Sequence, residues 1–196
     1  MVHLDNLKYL CCLKIEKEKK QFHFALNLSK EKCTNYFLKK KKIDGVILDL
    51  RNNGGGSLED AKLMSGLFIK TGPIVQVKTY EGNVDVLEDK DKDVLYDGPL
   101  VVMVNKFSAS ASEILAGALQ DYGRAVVVGG EVTHGKGTVQ TLWDLDRYVN
   151  PGLNLKQPLG SIKLTIQKFY RITGGSTQYK GVHPDIVLPD PLGYID

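Results

Sequence analysis

Residues 107–121 read FSASASEILAGALQD and follow a continuous apolar run at residues 100–104. The apolar run predicts a buried strand, because its side chains can fill both faces of a sheet. After the small residues, Ala111, Ile114, Leu115 and Ala118 recur at the spacing of one apolar helix face. The stretch therefore predicts a strand that delivers a serine to the first turn of a helix.

The predicted position of Ser110 has chemical value. A helix N-terminus presents unpaired N–H groups and a partial positive charge. A hydroxyl there can attack a carbonyl carbon while neighbouring backbone N–H groups stabilise the oxyanion. The structural alternative is that Ser110 and Glu113 form a Ser-x-x-Glu capping box. Taken alone, the stretch is typical of a cap, so other segments must decide between the two interpretations.

Length and composition bound the class of protein. The chain has 196 residues, of which 42% are hydrophobic and 25% charged, and its formal net charge is +3. This length suffices for one domain with a core, and the charge is too small to indicate a nucleic-acid partner. The three cysteines predict neither a disulfide framework nor a zinc site, because no CxxC spacing occurs. No apolar stretch approaches the ~18 residues of a membrane span.

A second strand, loop and helix precede the serine stretch. Residues 45–50 predict a buried strand that ends in RNNGGG at residues 51–56, and Ser57 then predicts a helix N-cap. The N–H groups of such a glycine turn can hold an anion. A dinucleotide loop would require the spacing G-x-G-x-x-G, which fails here. A turn that holds an oxyanion is compatible with the same residues.

A glycine-rich loop with a lysine follows the strand predicted at residues 126–128. Gly130 to Lys136 matches the first part of a phosphate-binding loop, but Gly137 replaces the required Ser or Thr, and a strand is predicted where a helix should follow. Nucleotide binding is therefore disfavoured. Lys136 is instead a candidate general base, because desolvation between two glycines can remove its charge. A solvated lysine is the structural alternative.

The rest of the chain alternates between predicted strands and helices, which indicates an α/β layered domain. Residues 83–97 are rich in Asp, Glu and Lys and predict a surface loop or hairpin tip. A short polar helix is predicted at residues 29–42. Further strands are predicted at residues 21–28, 74–80, 138–143, 161–170 and 186–189.

Six segments, in this order, resemble the carboxyl-terminal processing, or tail-specific, proteases of the S41 serine peptidase family. They read DLRNNGGG (49–56), SASASE (108–113), QDYGRA (120–125), GKGTVQ (135–140), QKFYR (167–171) and GVHPD (181–185). The resemblance spans residues 43–189 and is nearest to the bacterial periplasmic branch. It implies a ClpP/crotonase-like α/β core of layered sheets with helices packed outside. It also implies a catalytic domain at residues 43–196, preceded by a lead-in at 1–42 of unassigned role.

The resemblance implies a Ser/Lys dyad. Ser110 would be the nucleophile, rather than Ser108 or Ser112, and Lys136 would be the general base. Gln140, four residues after the lysine, would orient its amine.

Four further positions are candidates for roles that the family implies. Asp121 matches an aspartate linked to activity, although a structural role stays open. The oxyanion donors would be the N–H of Ala111 and that of either Gly55 or Gly56. The reaction would cleave unfolded or tagged polypeptides from the C-terminal side, in the periplasm or cell envelope, with no metal or organic cofactor.

The chain departs from the family pattern in three ways. The loop before Lys136 is one residue longer than usual, with Gly129-Gly130 where one glycine is typical. His134 stands where an aromatic is usual, which opens a Ser-His alternative with His134 as base. The chain also lacks a recognisable PDZ-like stretch and export signal. We therefore expect an isolated catalytic core or a fragment, and an inactive peptide-binding core is the alternative.

Overall fold

The computed structural model describes residues 11–17, 20–26, 45–148 and 157–190. Within them, the elements are β1 (Cys11–Lys17), β2 (Lys20–Leu26), β3 (Gly45–Asp49), α1 (Leu58–Gly66), β4 (Gly72–Thr79), β5 (Val84–Asp89), β6 (Leu100–Val104), α2 (Ala111–Asp121), β7 (Val126–Gly129), β8 (Thr138–Asp144), a 3-10 turn (Leu145–Tyr148), β9 (Ser161–Tyr170) and β10 (Ile186–Val187). The polar helix predicted at 29–42 lies outside the described residues. The other strand predictions are confirmed, with small differences in their ends.

A six-stranded sheet carries the nucleophile turn and the glycine turn. Its strand order is β10-β7-β6-β3-β1-β2, and β10, β7, β6 and β3 run parallel. Val102 of β6 pairs with Leu48 of β3 on one side and Val127 of β7 on the other. Because parallel strands end at the same edge of a sheet, the loops after β3, β6 and β7 are neighbours. These three loops hold Ser110, Lys136, Gly55 and Gly56 among the predicted site residues.

A four-stranded antiparallel sheet supports the lysine loop. Its order is β5-β4-β9-β8, and Phe169 of β9 pairs with Val77 of β4, both fully buried. The lysine loop connects β7 of the first sheet to β8 of the second. The lysine therefore lies where the two sheets are joined by the chain.

The two helices pack with both sheets around one core. The predicted cap of α1 is confirmed, because the Ser57 hydroxyl accepts a hydrogen bond from the N–H of Asp60 at 3.2 Å. The predicted α/β layering is also confirmed, but α2 is not an outer helix with one apolar face. Every residue from Ser112 to Leu119 is buried, so α2 is enclosed on all sides. Neither described helix is long and apolar enough to cross a bilayer.

Two segments differ from their sequence interpretation. Residues 84–89 form a strand, β5, where a loop or hairpin tip was predicted, because their backbone pairs with β4 at the edge of the sheet. Val84 and Val86 are exposed on this edge strand. The sequence therefore lacks the pattern of alternate apolar residues facing the core by which a strand is recognised. Strands β1 and β2 extend the first sheet beside β3, which gives part of the lead-in a structural role.

Candidate active site

The turn before α2 holds Ser110 in a strained conformation. Ser110 is the N-cap residue, with a φ of 57° and a ψ of −116°. A positive φ is uncommon for a residue with a side chain and costs ~1–3 kcal/mol. Such turns can expose a serine at the junction of a strand and a helix. Strain of this kind clusters at functional sites, so the conformation makes Ser110 a candidate for a functional role.

The hydroxyl groups distinguish Ser110 from its two neighbouring serines. The Ser108 hydroxyl donates to the carbonyl oxygen of Leu50 at 2.8 Å, and the Ser112 hydroxyl donates to that of Asn53 at 3.0 Å. Both serines are buried. Within the described residues the Ser110 hydroxyl makes no cap hydrogen bond. Ser108 and Ser112 therefore link the segment of residues 50–53 to the serine turn, and the Ser110 hydroxyl takes no part in this link.

Gly55 lies directly against the serine turn. It has a φ of +97°, and a Cβ atom built there would lie 2.5 Å from the carbonyl oxygen of Ala109 and 2.7 Å from the Cβ of Ser110. The same Cβ would lie 2.8 Å from the backbone nitrogen of Ala111. Only glycine can adopt this backbone at this distance. Its N–H donates to the Asn53 side-chain oxygen at 3.0 Å.

The three candidate oxyanion donors share one small cavity. Gly55, Gly56 and Ala111 all line a space of about 30 Å³ between the N-termini of α1 and α2. Its other walls include Asp60 and Leu115. Burial, followed by the neighbouring charge of Glu59, raises the pKa of Asp60 above its ordinary value. The cavity has room for a small group next to Ala111, the residue that follows Ser110.

Glu113 joins the serine turn to the lysine loop. Its side chain is fully buried, and one carboxylate oxygen accepts hydrogen bonds from the backbone N–H groups of Ser110 at 2.8 Å and Lys136 at 2.9 Å. The other oxygen accepts from the N–H of Gly135 at 2.7 Å and the hydroxyl of Thr133 at 2.6 Å. Four donors therefore compensate the buried charge. The sequence interpretation assigned Glu113 only to a capping box, and the bond of that box from the N–H of Ser110 to the Glu113 carboxylate is present.

Lys136 carries an amine with a lowered pKa. Partial burial lowers its pKa below the ordinary value of 10.5, the charge of Lys163 lowers it further, and the charge of Glu113 partly offsets both. The amine donates to the side-chain oxygen of Gln140 at 3.1 Å. Within the described residues the amine and the Ser110 hydroxyl are not hydrogen-bonded to each other. The four-carbon lysine stem is flexible, so rotation of its side chain can redirect the amine.

Asp121 lies at the far end of α2 from Ser110. The helix has 11 residues, which at 1.5 Å per residue separates its two ends by about 16 Å. The Asp121 carboxylate forms a two-point ion pair with Arg171, with N–O distances of 2.6 and 2.9 Å. Its side chain is only 7% exposed. The structure thus gives Asp121 a partner in the scaffold, and in the part of the chain that is described no hydrogen bond joins it to Ser110 or Lys136.

His134 lies in the lysine loop with an exposed side chain. Its backbone N–H donates to the carbonyl oxygen of Ser108 at 3.0 Å. Within the described residues no hydrogen bond joins its imidazole to Ser110. The longer loop at Gly129-Gly130 leaves Gly135 and Lys136 bonded to Glu113.

Comparison with known proteins identifies the family of this chain. The model of peptidase family S41 matches residues 20–188. A tail-specific protease of Haemophilus influenzae is 48% identical over 159 residues, which cover 78% of this chain and 21% of that protein. The carboxy-terminal processing protease CtpA of Bacillus subtilis is 39% identical over 164 residues, covering 81% of this chain and 32% of that protein.

A solved structure shares the fold. The photosystem II D1 C-terminal processing protease superposes with a TM-score of 0.68 at 30% identity, over 87% of this chain and 43% of that one. The chain spans between a fifth and a third of the length of these two curated relatives. The family match covers most of the chain, and the chain therefore belongs to peptidase family S41.

Proposed function

We propose that this chain is the catalytic core of a C-terminal processing serine peptidase, with Ser110 as nucleophile and Lys136 as general base. The observation that carries the proposal is the carboxylate of Glu113, which accepts hydrogen bonds from the backbone N–H groups of both residues. The lowered pKa of Lys136 supports the role of a base, since a neutral amine is needed to accept a proton. Membership of family S41 supports the same reaction class.

In the proposed reaction, the Ser110 oxygen bonds to the carbonyl carbon of the peptide as its proton moves to the Lys136 amine. The N–H of Ala111 and a glycine N–H stabilise the oxyanion. We favour Gly56 for the second donor, because the N–H of Gly55 is already bonded to Asn53. The lysine then gives its proton to the leaving amine as the C–N bond breaks. Water, deprotonated by Lys136, releases the acyl group by the reverse steps.

Gln140 and Asp121 take different parts in this proposal. Gln140 accepts a hydrogen bond from the Lys136 amine and so limits where that amine can lie. Asp121 holds Arg171 and acts on the scaffold alone. The substrates would be unfolded or tagged polypeptides cut from the C-terminal side, and the periplasm or cell envelope would be the site of action. Both of these rest on the likeness to tail-specific proteases.

The second candidate is a peptide-binding core without catalytic activity. It is favoured by one observation: the Lys136 amine bonds to Gln140 and not to the Ser110 hydroxyl. In that case the amine would keep its position and Ser110 would be no more reactive than an ordinary serine. Reaction of Ser110 with an electrophile separates the two functions.

The proposal is tested with fluorescent casein and with a fluorophosphonate that labels activated serines. We expect cleavage and labelling by the wild type, and loss of both in Ser110→Ala and Lys136→Ala. The matched control is Lys70→Ala, which removes an exposed lysine outside the site. Equal rates for the wild type and Lys136→Ala would exclude the dyad. Absence of labelling in every protein, with peptide binding retained, would favour the inactive core.

A further inference from the structure

The backbone of the Gly-Lys-Gly loop, residues 135–137, has a partner for every polar group. The N–H groups of Gly135 and Lys136 bind Glu113, and the carbonyl oxygen of Gly137 accepts from the N–H of Phe169 at 2.9 Å. Three groups remain: two carbonyl oxygens and the N–H of Gly137. Their partners all come from one short segment later in the chain.

That segment is residues 177–179, which we call the clamp segment. The N–H of Tyr179 donates to the carbonyl oxygen of Gly135 at 2.8 Å. The hydroxyl of Thr177 donates to the carbonyl oxygen of Lys136 at 3.2 Å. The side-chain oxygen of Gln178 accepts from the N–H of Gly137 at 2.8 Å. Each of the three clamp residues therefore binds a different one of the three loop residues.

The two glycines beside the lysine make room for the clamp segment. A Cβ on Gly135 would lie 3.2 Å from backbone atoms of Tyr179, and a Cβ on Gly137 would lie 2.7 Å from the backbone nitrogen and the Cβ of Gln178. Side chains at either glycine would push the clamp segment away.

The clamp segment is itself strained and locally braced. Tyr179 has a φ of 60°, which a residue with a side chain rarely adopts. Thr177 is buried, and its carbonyl oxygen accepts from the N–H groups of Lys180 and Gly181 at 3.0 and 2.8 Å. Strain persists only where surrounding contacts overdetermine the conformation. The contacts that hold Tyr179 in this conformation include its bond to the lysine loop.

We propose that the clamp segment positions Lys136 for catalysis, and that the side chain of Gln178 contributes most to this positioning. This rests on the proposed function, in which Lys136 is the base. A base must lie within hydrogen-bond reach of the hydroxyl it deprotonates, and a misplacement of ~1 Å can cost ~100-fold in rate. Gln178 touches no reacting atom. It fixes the backbone from which the lysine side chain extends.

Two substitutions of Gln178 separate its hydrogen bond from its volume. Gln178→Met keeps the length of the side chain and removes the acceptor, so the buried N–H of Gly137 loses its partner. Gln178→Glu keeps an acceptor oxygen and adds a negative charge. Thr177→Val removes the bond to the Lys136 carbonyl. Thr173→Ala, in the exposed turn before the segment, is the matched control.

The first measurement is amide hydrogen exchange at Gly137 by NMR, which does not depend on activity. The Gly137 amide is expected to be protected in the wild type, Gln178→Glu and Thr173→Ala. In Gln178→Met its protection factor is expected to fall at least about tenfold. Unchanged protection in Gln178→Met would overturn the clamp itself.

The second measurement is the rate of Ser110 labelling by a fluorophosphonate across pH. Gln178→Met and Thr177→Val are expected to lower the plateau rate by about tenfold, and Thr173→Ala to match the wild type. Gln178→Glu is expected to restore the plateau but move the pH midpoint upward, because a carboxylate favours the charged amine. That charge would add to Glu113 and oppose Lys163, the charged groups that already act on Lys136.

The outcomes distinguish the two proposals. If Gln178→Met loses amide protection but labels at the wild-type plateau rate, while Lys136→Ala does not label, the positioning role is wrong and the dyad stands. If the wild type and Lys136→Ala label at the same rate, the proposed function fails, and the positioning role fails with it. The exchange data then still report whether the clamp exists.

Discussion

Ser110 and Lys136 donate their backbone N–H groups to the same oxygen atom of Glu113, at 2.8 and 2.9 Å. The two residues are 26 positions apart in the chain, and this shared acceptor sets the distance between their backbones. A nucleophile and its base need such a fixed relation, because neither residue is on a regular element at that point.

The hydrogen bonds from Glu113 to both residues, which we call the Glu113 bridge, predict a large effect for Glu113→Gln. One face of the new amide would present N–H donors to groups that are themselves donors, and the negative charge would be lost. We expect a loss of about 2–4 kcal/mol in the free energy of unfolding and a fall in serine labelling of about 100-fold. Thermal unfolding and labelling rates measure both.

Glu59→Gln is the matched control for that substitution. Glu59 lies in the first turn of α1, exposed, and pairs with Lys62 at 2.6 Å. Its replacement should change stability by no more than about 0.5 kcal/mol. Equal effects of the two substitutions would contradict the bridge.

The glycine turn predicts opposite outcomes for two adjacent residues. Gly55→Ala would place a Cβ 2.5 to 2.8 Å from the serine turn, at a φ of +97°, whereas a Cβ on Gly54 would meet nothing within 4 Å. We expect Gly55→Ala to reduce labelling of Ser110 by about 100-fold and Gly54→Ala to leave it within about twofold. Similar rates for the two variants would show that the turn does not contact the nucleophile as described.

The charge of Lys163 predicts that its removal shifts the pH dependence of Ser110 labelling. Gln140 pairs with Thr165 and Leu142 with Lys163, so alternate pairing places Lys163 on the same sheet face as Gln140. Because its charge lowers the pKa of Lys136, Lys163→Met should raise that pKa. The rate should then fall at pH values below the midpoint and stay unchanged at the plateau, so that the midpoint moves upward.

Salt and a second lysine control for that shift. Lys163 is exposed, so the difference between wild type and Lys163→Met should shrink at about 1 M salt. Lys70→Met should leave the midpoint unchanged. A plateau lowered in Lys163→Met with no midpoint shift would assign Lys163 to substrate binding instead.

The ion pair between Asp121 and Arg171 predicts that replacement of Asp121 lowers stability but leaves the reactivity of Ser110 unchanged. Asp121→Asn breaks the ion pair with Arg171, whose guanidinium also binds the side-chain oxygen of Gln120 at 2.9 Å. We expect a decrease of about 1–3 kcal/mol in the free energy of unfolding, with labelling per folded molecule close to wild type. Asp85→Asn, on exposed β5, is the control. A stable Asp121→Asn protein with no labelling would restore a catalytic role.

The sequence predicts the local parts of this site because they depend on neighbours. The strand at 100–104, the helix after Ser110 and the Ser57 cap all follow from spacing and capping chemistry. The bridge does not, since the partners of Glu113 lie 20 to 23 residues away in a loop without regular structure. The clamp segment is further still, 41 residues from the backbone it binds. Such contacts depend on tertiary packing, which periodicity does not report.

The most direct test of the account is the rate of Ser110 labelling as a function of pH. In the wild type the rate should rise with a midpoint below 10.5, because the lowered pKa of Lys136 makes a neutral amine available there. His134→Ala should keep that curve, and Lys136→Ala should abolish the rise. A rise in rate that disappears in His134→Ala and persists in Lys136→Ala would contradict the lysine base and assign the proton transfer to histidine.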